Sequence, residues 1–386
     1  MLQFCVSQQY NDSVFFTFRS TGIRVYSLEE ALYHVFHYWR ESMDDFLSEG
    51  IIVWVSELGL SDISAKIKEI ASAKHLNSSK QILDFLQLIE YFDAAQLNSL
   101  QATLEAWEHR CEWEKLKERA DHLVKRGEPS KALLLYKRAL QLEENVALLN
   151  NIGVVYMQLS APEDAVNHLA RACAIAPGNV SVLLHYIEAT ILNKEYVSAE
   201  QALSTVEQLA PDRAEIPFLH GLMAYGQKNY AKALTYYEKA IKLDQTTPYY
   251  IYKMADVHKT VRQYKKALDI LMTVPYKDSN YYVKEAEIHA AAGDISEALR
   301  CMRSATSADG RNDANLWAKL AEYYRHDYDW QMAEKAISYA LNLAPDNDKV
   351  RLESARIKKG LGRTRDYQAE LADILKDLKE RYRTDG

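Results

Sequence analysis

The sequence predicts an all-α solenoid preceded by a small mixed α/β module. Three observations carry that prediction. Small residues recur at a period near 34 through most of the chain. Gly (13) and Pro (8) are scarce among 386 residues, which argues against a turn-rich β-sandwich or a low-complexity chain. The first 110 residues break the pattern in residue type and in charge: they hold 8 Lys+Arg and 15 Asp+Glu, or −7, while the rest holds 39 of each. Hydrophobic residues at 48% and charged residues at 26% are ordinary for a chain that buries a core. The 26 tyrosines against 9 phenylalanines suggest many half-buried contacts with a wet edge.

Taken in order, the elements begin with a module over 1–110. Phe15–Phe18 and Ile23–Tyr26 read as short strands joined by Ser20-Thr-Gly22. Ser27-Leu-Glu-Glu30 is a capping-box signature that opens a helix. That helix carries Ala31, Leu32, Val35, Phe36 and Trp39 on one side, and Gly50 is its expected stop. Further helices are expected near 51–58, 61–74, 79–91 and 94–125, the last running into the repeats. Glu41, Asp44, Asp45 and Glu49 read as a solvated acidic face.

The repeat region, 111–347, rests on three series in register. Ala132, Ala165, Ala199, Ala233, Ala267, Ala298 and Ala333 are spaced by 33, 34, 34, 34, 31 and 35. Seven positions on stand Ala139, Ala172, Val206, Ala240, Val274, Ala305 and Ala340; twelve positions before stand Ala120, Gly153, Ile187, Gly221, Ala255, Ala286 and Ala321. Four residues after each member of the first series comes a bulky one, among them Tyr136, Leu169 and Tyr237. Small residues let two helix backbones approach, and the large side chain fills the gap beside them. Pro177, Pro211 and Pro345 follow the last small position by five and mark the turn into the next unit. The 31-residue spacing predicts a shortened turn near Tyr276–Asn280. Residues 348–386 read as capping helices, with Ile374, Leu375, Leu378 and Tyr382 as their apolar stripe.

On these residues the chain resembles the tetratricopeptide repeat family from about Trp113 to Asn347. The clearest copies are VALLNNIGVVYMQLSAPEDAVNHLARACAIAPGN (146–179) and AEIPFLHGLMAYGQKNYAKALTYYEKAIKLDQ (214–245). The segment YSLEEALYHVFHYW is similar to the head module of bacterial members of the family. The resemblance implies a right-handed superhelix whose first helix in each repeat lines a concave groove. It names Lys117, Asn150, Phe218, Tyr225, Tyr249, Tyr252, Asp256, Lys259, Glu322 and Arg325 as groove-lining residues, and a protein or peptide segment as the partner. Some members clamp a C-terminal carboxylate with Lys and Asn. Here Lys117 and Asn151 match that set, but Asp121, Ser181 and His185 depart from it, and Asp121 would repel a carboxylate. For Tyr249 and Tyr252 the other reading is packing against the neighbouring repeat.

Chemistry-bearing motifs are sparse. The sequence has no P-loop, no G-x-S-x-G elbow and no H-E-x-x-H. His34 and His37, and also His258 and His289, read as packing residues rather than metal ligands. Cys5, Cys111, Cys173 and Cys301 are far apart and read as reduced, mostly buried thiols. No cofactor, metal or catalytic residue is implied. The run Lys349, Arg351, Arg356, Lys358, Lys359, Arg363 and Arg365 gives 349–386 a charge of +4 (11 basic, 7 acidic), which suits solubility better than nucleic-acid binding. No apolar run reaches the roughly 20 residues a membrane helix needs, and the N-terminus lacks a signal-peptide pattern, so a cytoplasmic chain is expected. The expected function is a non-enzymatic scaffold or adaptor. The alternative is an enzyme or ligand-sensing regulator with its site in 1–110.

Overall fold

The computed structural model describes residues 14–18, 21, 23–43, 45–73, 77–125, 127–308, 310–345 and 347–383. The chain forms two compact units, Met1–Cys111 with Leu341–Asn347, and Glu112–Ala340 with Asp348–Gly386. The sequence reading of Asp44 and Cys5, and the side chains of Leu378 and Tyr382, lie outside what is described.

In the first unit two short antiparallel strands, β1 (Phe16–Thr17) and β2 (Arg24–Val25), pair Phe16 with Val25. Six helices follow: α1 (Leu28–His37), α2 (Trp39–Ser42), α3 (Glu49–Glu57), α4 (Ser61–Ser72), α5 (Ser78–Leu86) and α6 (Ala94–Glu108). The Ser27 hydroxyl accepts from the Glu30 backbone N–H, so Ser27 caps α1 as expected, while the Glu30 carboxylate accepts from the Tyr26 N–H at 2.7 Å, one residue before the position a capping box uses. Phe18, Leu32, Val35, Trp39, Trp54, Phe85 and Trp107 build the core.

Two boundaries differ from expectation. Gly50 does not stop a helix; it lies in the first turn of α3, which Ser48 caps. A Cβ there would come within 3.3 Å of the Phe16 ring, so glycine serves a close approach. The stretch 94–125 is two helices, broken at His109–Cys111. Glu41 and Asp45 are buried rather than solvated, at 4% and 3% exposure. The short α2 turns this segment inward, where the Arg40 guanidinium lies 4.2 Å over Trp39 and Glu41 supports its charge. Cys111 is exposed, against the expected burial, while Cys301 is buried.

The second unit is a run of helix pairs: α7 (Glu112–Lys125) with α8 (Pro129–Leu142), α9 (Val146–Gln158) with α10 (Pro162–Ile175), α11 (Val180–Leu192) with α12 (Tyr196–Leu209), and α13 (Glu215–Gly226) with α14 (Tyr230–Leu243). Then come α15 (Pro248–Thr260) with α16 (Tyr264–Leu271), α17 (Ser279–Ala292) with α18 (Ile295–Ser307), α19 (Ala314–His326) with α20 (Trp330–Leu343), and α21 (Asp348–Gly360) with α22 (Thr364–Arg383). The small-residue register is core throughout: Ala132, Ala165, Ala199, Ala233, Ala267, Ala298 and Ala333 are all 0% exposed. A Cβ on Gly153 would lie 2.4 Å from Leu169, and one on Gly221 2.5 Å from Tyr237, so the bulky residue of the second helix packs directly on the backbone of the first.

Each pair turns through a residue with left-handed backbone: Gly127, Ser160, Lys194, Lys228, Arg262, Gly293, Tyr328 and Gly362. Their spacings are 33, 34, 34, 34, 31, 35 and 34, so the turn register extends to an eighth pair. In that pair Ala355 and Ile374 hold buried register positions, while Tyr367 stands where the earlier units have alanine. The 31-residue spacing arises from a shortened helix and not a shortened turn. Helix α16 has 8 residues where its counterparts have 13 to 20. Pro275 falls where its last turn would be, and proline disfavours helical geometry in the residue before it.

Candidate protein-binding groove

The first helix of each pair carries the residues expected to line the groove. In the first repeat Lys117 is not free. Its Nζ lies 2.8 Å from Asp121, whose other oxygen accepts from the Tyr136 hydroxyl and, at 3.0 Å, from Asn151 Nδ2. Burial and the Asp121 carboxylate push the Tyr136 hydroxyl far above its ordinary range. Lys117, Asp121 and Asn151 are thus a connected structural network joining repeats one and two. Asn150 joins repeats two and three, accepting from His185 Nδ1 at 2.8 Å.

Two predicted groove residues are core. Phe218 is 5% exposed and packs among Tyr237, Tyr249 and Tyr250 at ring distances of 5.7, 5.3 and 4.9 Å. Tyr252 is 7% exposed, with its hydroxyl aimed at Asp278. A large ring at this register position gains more by turning into the contact between repeats than by standing in water. Tyr249 instead remains 43% exposed, with Lys253 Nζ 5.1 Å from its ring centre. Tyr225 is half-buried, and its hydroxyl meets Thr260 Oγ1 at 2.9 Å.

Beside these tyrosines runs an ionic cluster. Lys259 contacts Asp256 at 2.9 Å and Glu287 at 3.2 Å. Lys284 contacts the same two acids at 3.2 and 3.0 Å, and Lys319 reaches Glu287 at 2.6 Å. Burial alone would raise the Glu287 pKa, but Lys319, Lys284 and Lys259 together hold it down at about 2. Two acids and three lysines leave the cluster with a surplus positive charge. Lys253, Lys284 and Lys319 occupy one register position in repeats five to seven, a signal present in the sequence that the groove assignment did not use.

Because the folded pKa of Glu287 lies below the unfolded value, its stabilisation is present above pH ~4.3 and is lost as pH falls toward 2. With the side chain a quarter exposed, that contribution is roughly 2 kcal/mol. Glu287→Gln is expected to remove it. Urea melts of both proteins should differ by about that amount at pH 7 and converge near pH 2; a constant difference across the range would contradict the assignment.

Toward the end of the unit Asn315, Lys319, Glu322, Lys349, Leu352, Glu353 and Arg356 line an open cleft of about 370 Å³. Glu322 is open to it. Arg325 is not a free groove residue, since its Nε donates to Glu353 at 2.5 Å and Glu353 is 5% exposed. The basic run beyond it is largely paired: Arg351 with Asp373, Arg356 with Glu353, Lys358 with Glu370 and Arg363 with Glu334. In the first unit His34 is buried, stacks on Phe18 at 4.1 Å and meets Thr21 at 3.1 Å. His258 bonds Gln263 at 3.0 Å.

Three family models, each described as tetratricopeptide repeat, match residues 117–180, 156–216 and 214–247. Over residues 117–247 the chain is built of tetratricopeptide repeats. Curated relatives of this repeat protein include the BBSome complex member BBS4 of Bos taurus, 28% identical over 38% of this chain and 28% of that protein. Another is the type IV pilus assembly protein PilF of Pseudomonas aeruginosa, 28% identical over 37% of this chain and 58% of that one. The chain therefore spans less than two thirds of either relative's own length. Among solved structures, a tetratricopeptide repeat protein from Parabacteroides merdae is 18% identical with a TM-score of 0.41, over 65% of this chain and 99% of that one. Among the described residues no helix is long and apolar enough to cross a membrane.

Proposed function

We propose that this tetratricopeptide repeat protein is a non-enzymatic scaffold that holds a segment of a partner protein along the first helices of repeats four to seven. The observation that carries the proposal is the exposed Tyr249 and half-buried Tyr225 beside the ionic cluster of Asp256, Lys259, Lys284, Glu287 and Lys319. Tyr249 packs one side of its ring on Phe218 and leaves the rest, with its polar tip, exposed as contact area. The surplus positive charge favours a segment with acidic side chains. The names of two relatives, a BBSome complex member and a type IV pilus assembly protein, are those of assembly components and support the same reading.

The test uses a partner captured and identified with the wild-type chain. Tyr225→Ala with Tyr249→Ala is expected to weaken it by about thirtyfold, since truncating a central interface aromatic costs ~2 kcal/mol or more. Circular dichroism should show unchanged helicity. Normal affinity in the double variant would remove the groove from consideration.

A further inference from the structure

Glu285 and His289 are one turn apart on α17 and share a face, and Cys301 on α18 turns toward them. One ligand atom from each lies within 4.8 Å of the others, and the Cys301 thiol donates to Glu285 Oε2 at 3.2 Å. We propose that these three side chains form a zinc site between the two helices of the sixth repeat.

The repeat itself supplies the comparison. At the Glu285 position repeats one to five and seven carry Arg119, Ile152, Tyr186, His220, Met254 and Leu320. At the His289 position they are Leu123, Tyr156, Thr190, Ala224, His258 and Tyr324. At the Cys301 position they are Leu135, His168, Ala202, Tyr236, Ile270 and Ala336. These places accept many kinds of side chain, and only the sixth pair combines a carboxylate, an imidazole and a thiol there; the eighth carries Ser354, Lys358 and Glu370, which bond one another. Packing does not ask for a carboxylate against a buried thiol. Among the described residues Glu285 has no ion pair, and the His289 ring makes no hydrogen bond to another side chain.

The geometry suits the metal. Zinc binds sulfur at about 2.3 Å and nitrogen or oxygen at about 2.0–2.2 Å, which sets tetrahedral donors roughly 3.5 Å apart. The three donor atoms already lie within 4.8 Å of one another, and each stands on a rotatable side chain. Thiolate with imidazole and carboxylate is a borderline-soft set, which disfavours magnesium and calcium. On binding, the Cys301 thiol forms a sulfur–metal bond and its proton passes to water; the Glu285 oxygen that accepted that proton becomes a ligand. Three protein ligands leave a fourth position for water, on the side where Glu285 and His289 are part exposed.

The experiment titrates the reduced full-length chain with cobalt(II) as a spectroscopic probe and with zinc(II) by calorimetry. Expected are one equivalent of zinc bound, a thiolate-to-cobalt charge-transfer band, and the intense visible bands of tetrahedral cobalt. Cys301→Ala and His289→Tyr copy residues that other repeats carry at these positions, so both should fold. Cys301→Ala should abolish the thiolate band. Each variant should weaken zinc at least about 100-fold, beyond the loss of an outer partner. A Cys111→Ser, Cys173→Ser chain should bind as wild type. Absence of the band in wild type, its persistence in Cys301→Ala, or unchanged zinc affinity in His289→Tyr overturns the site.

Discussion

Replacing Ala233 with aspartate is expected to destabilise the central repeats by about 4 kcal/mol or more. Ala233 is fully buried on α14, one turn before Tyr237, whose ring lies against the backbone of Gly221 on α13. The added carboxylate meets two costs. In this fully buried place it must be buried charged or take up a proton. It also forces apart two helices whose contact has no room for three extra heavy atoms, which typically costs 1–3 kcal/mol. Since each repeat is stabilised by its neighbours, the loss should appear as a lower and broader melt centred on repeats three to five. Ala231→Asp is the internal control. Ala231 is exposed in the first turn of the same helix, where an acid is tolerated or mildly favourable, so its effect should stay within about 0.5 kcal/mol. Equal melting temperatures for Ala233→Asp and wild type would show that the small-residue register does not mark the core.

The same register explains how much of the fold was legible in the sequence. Alanine and glycine at fixed spacing are a packing signal, because only small side chains permit the approach seen at Gly153 and Gly221. The eighth pair was legible as a capping pair of helices but not as a further copy of the repeat. Tyr367 interrupts the alanine series, and the left-handed turn that continues it is set by backbone conformation at residues as different as Ser160, Arg262 and Tyr328. Groove residues were read less well. Phe218 and Tyr252 have the expected register, but a large ring at the edge of a helix face can rotate into either surface, and burial favours the core. Glu353, which captures Arg325, lies 28 residues away in the next unit. Contacts between repeats of this kind join positions that no local spacing connects. Glu285 and Cys301 were hidden similarly, being 16 residues apart on different helices.

Arg325 offers the sharper test of structure against binding. Its guanidinium holds Glu353, a carboxylate only 5% exposed, through Nε at 2.5 Å and a longer contact at 3.5 Å. Arg356 also reaches Glu353, at 3.1 Å, but is 61% exposed and competes with water for the same contact. Removing Arg325 therefore leaves a buried carboxylate with one weakened partner. Breaking a buried pair from one side costs about 3–5 kcal/mol, and the remaining Arg356 should reduce this to roughly 2–3 kcal/mol for Arg325→Ala. Glu353→Gln removes the charge but keeps the shape, so combining it with Arg325→Ala should recover part of the loss, with a coupling of about 1–2 kcal/mol in a double-mutant cycle. Urea denaturation of the four proteins measures it. A partner-binding role alone predicts the opposite pattern: stability unchanged in Arg325→Ala, and affinity reduced. If Arg325→Ala melts as wild type, the ion pair is surface decoration and Arg325 returns to the groove. If stability falls and the cycle shows coupling, Arg325 is a structural tie between the seventh and eighth helix pairs, and the charged groove ends at Glu322.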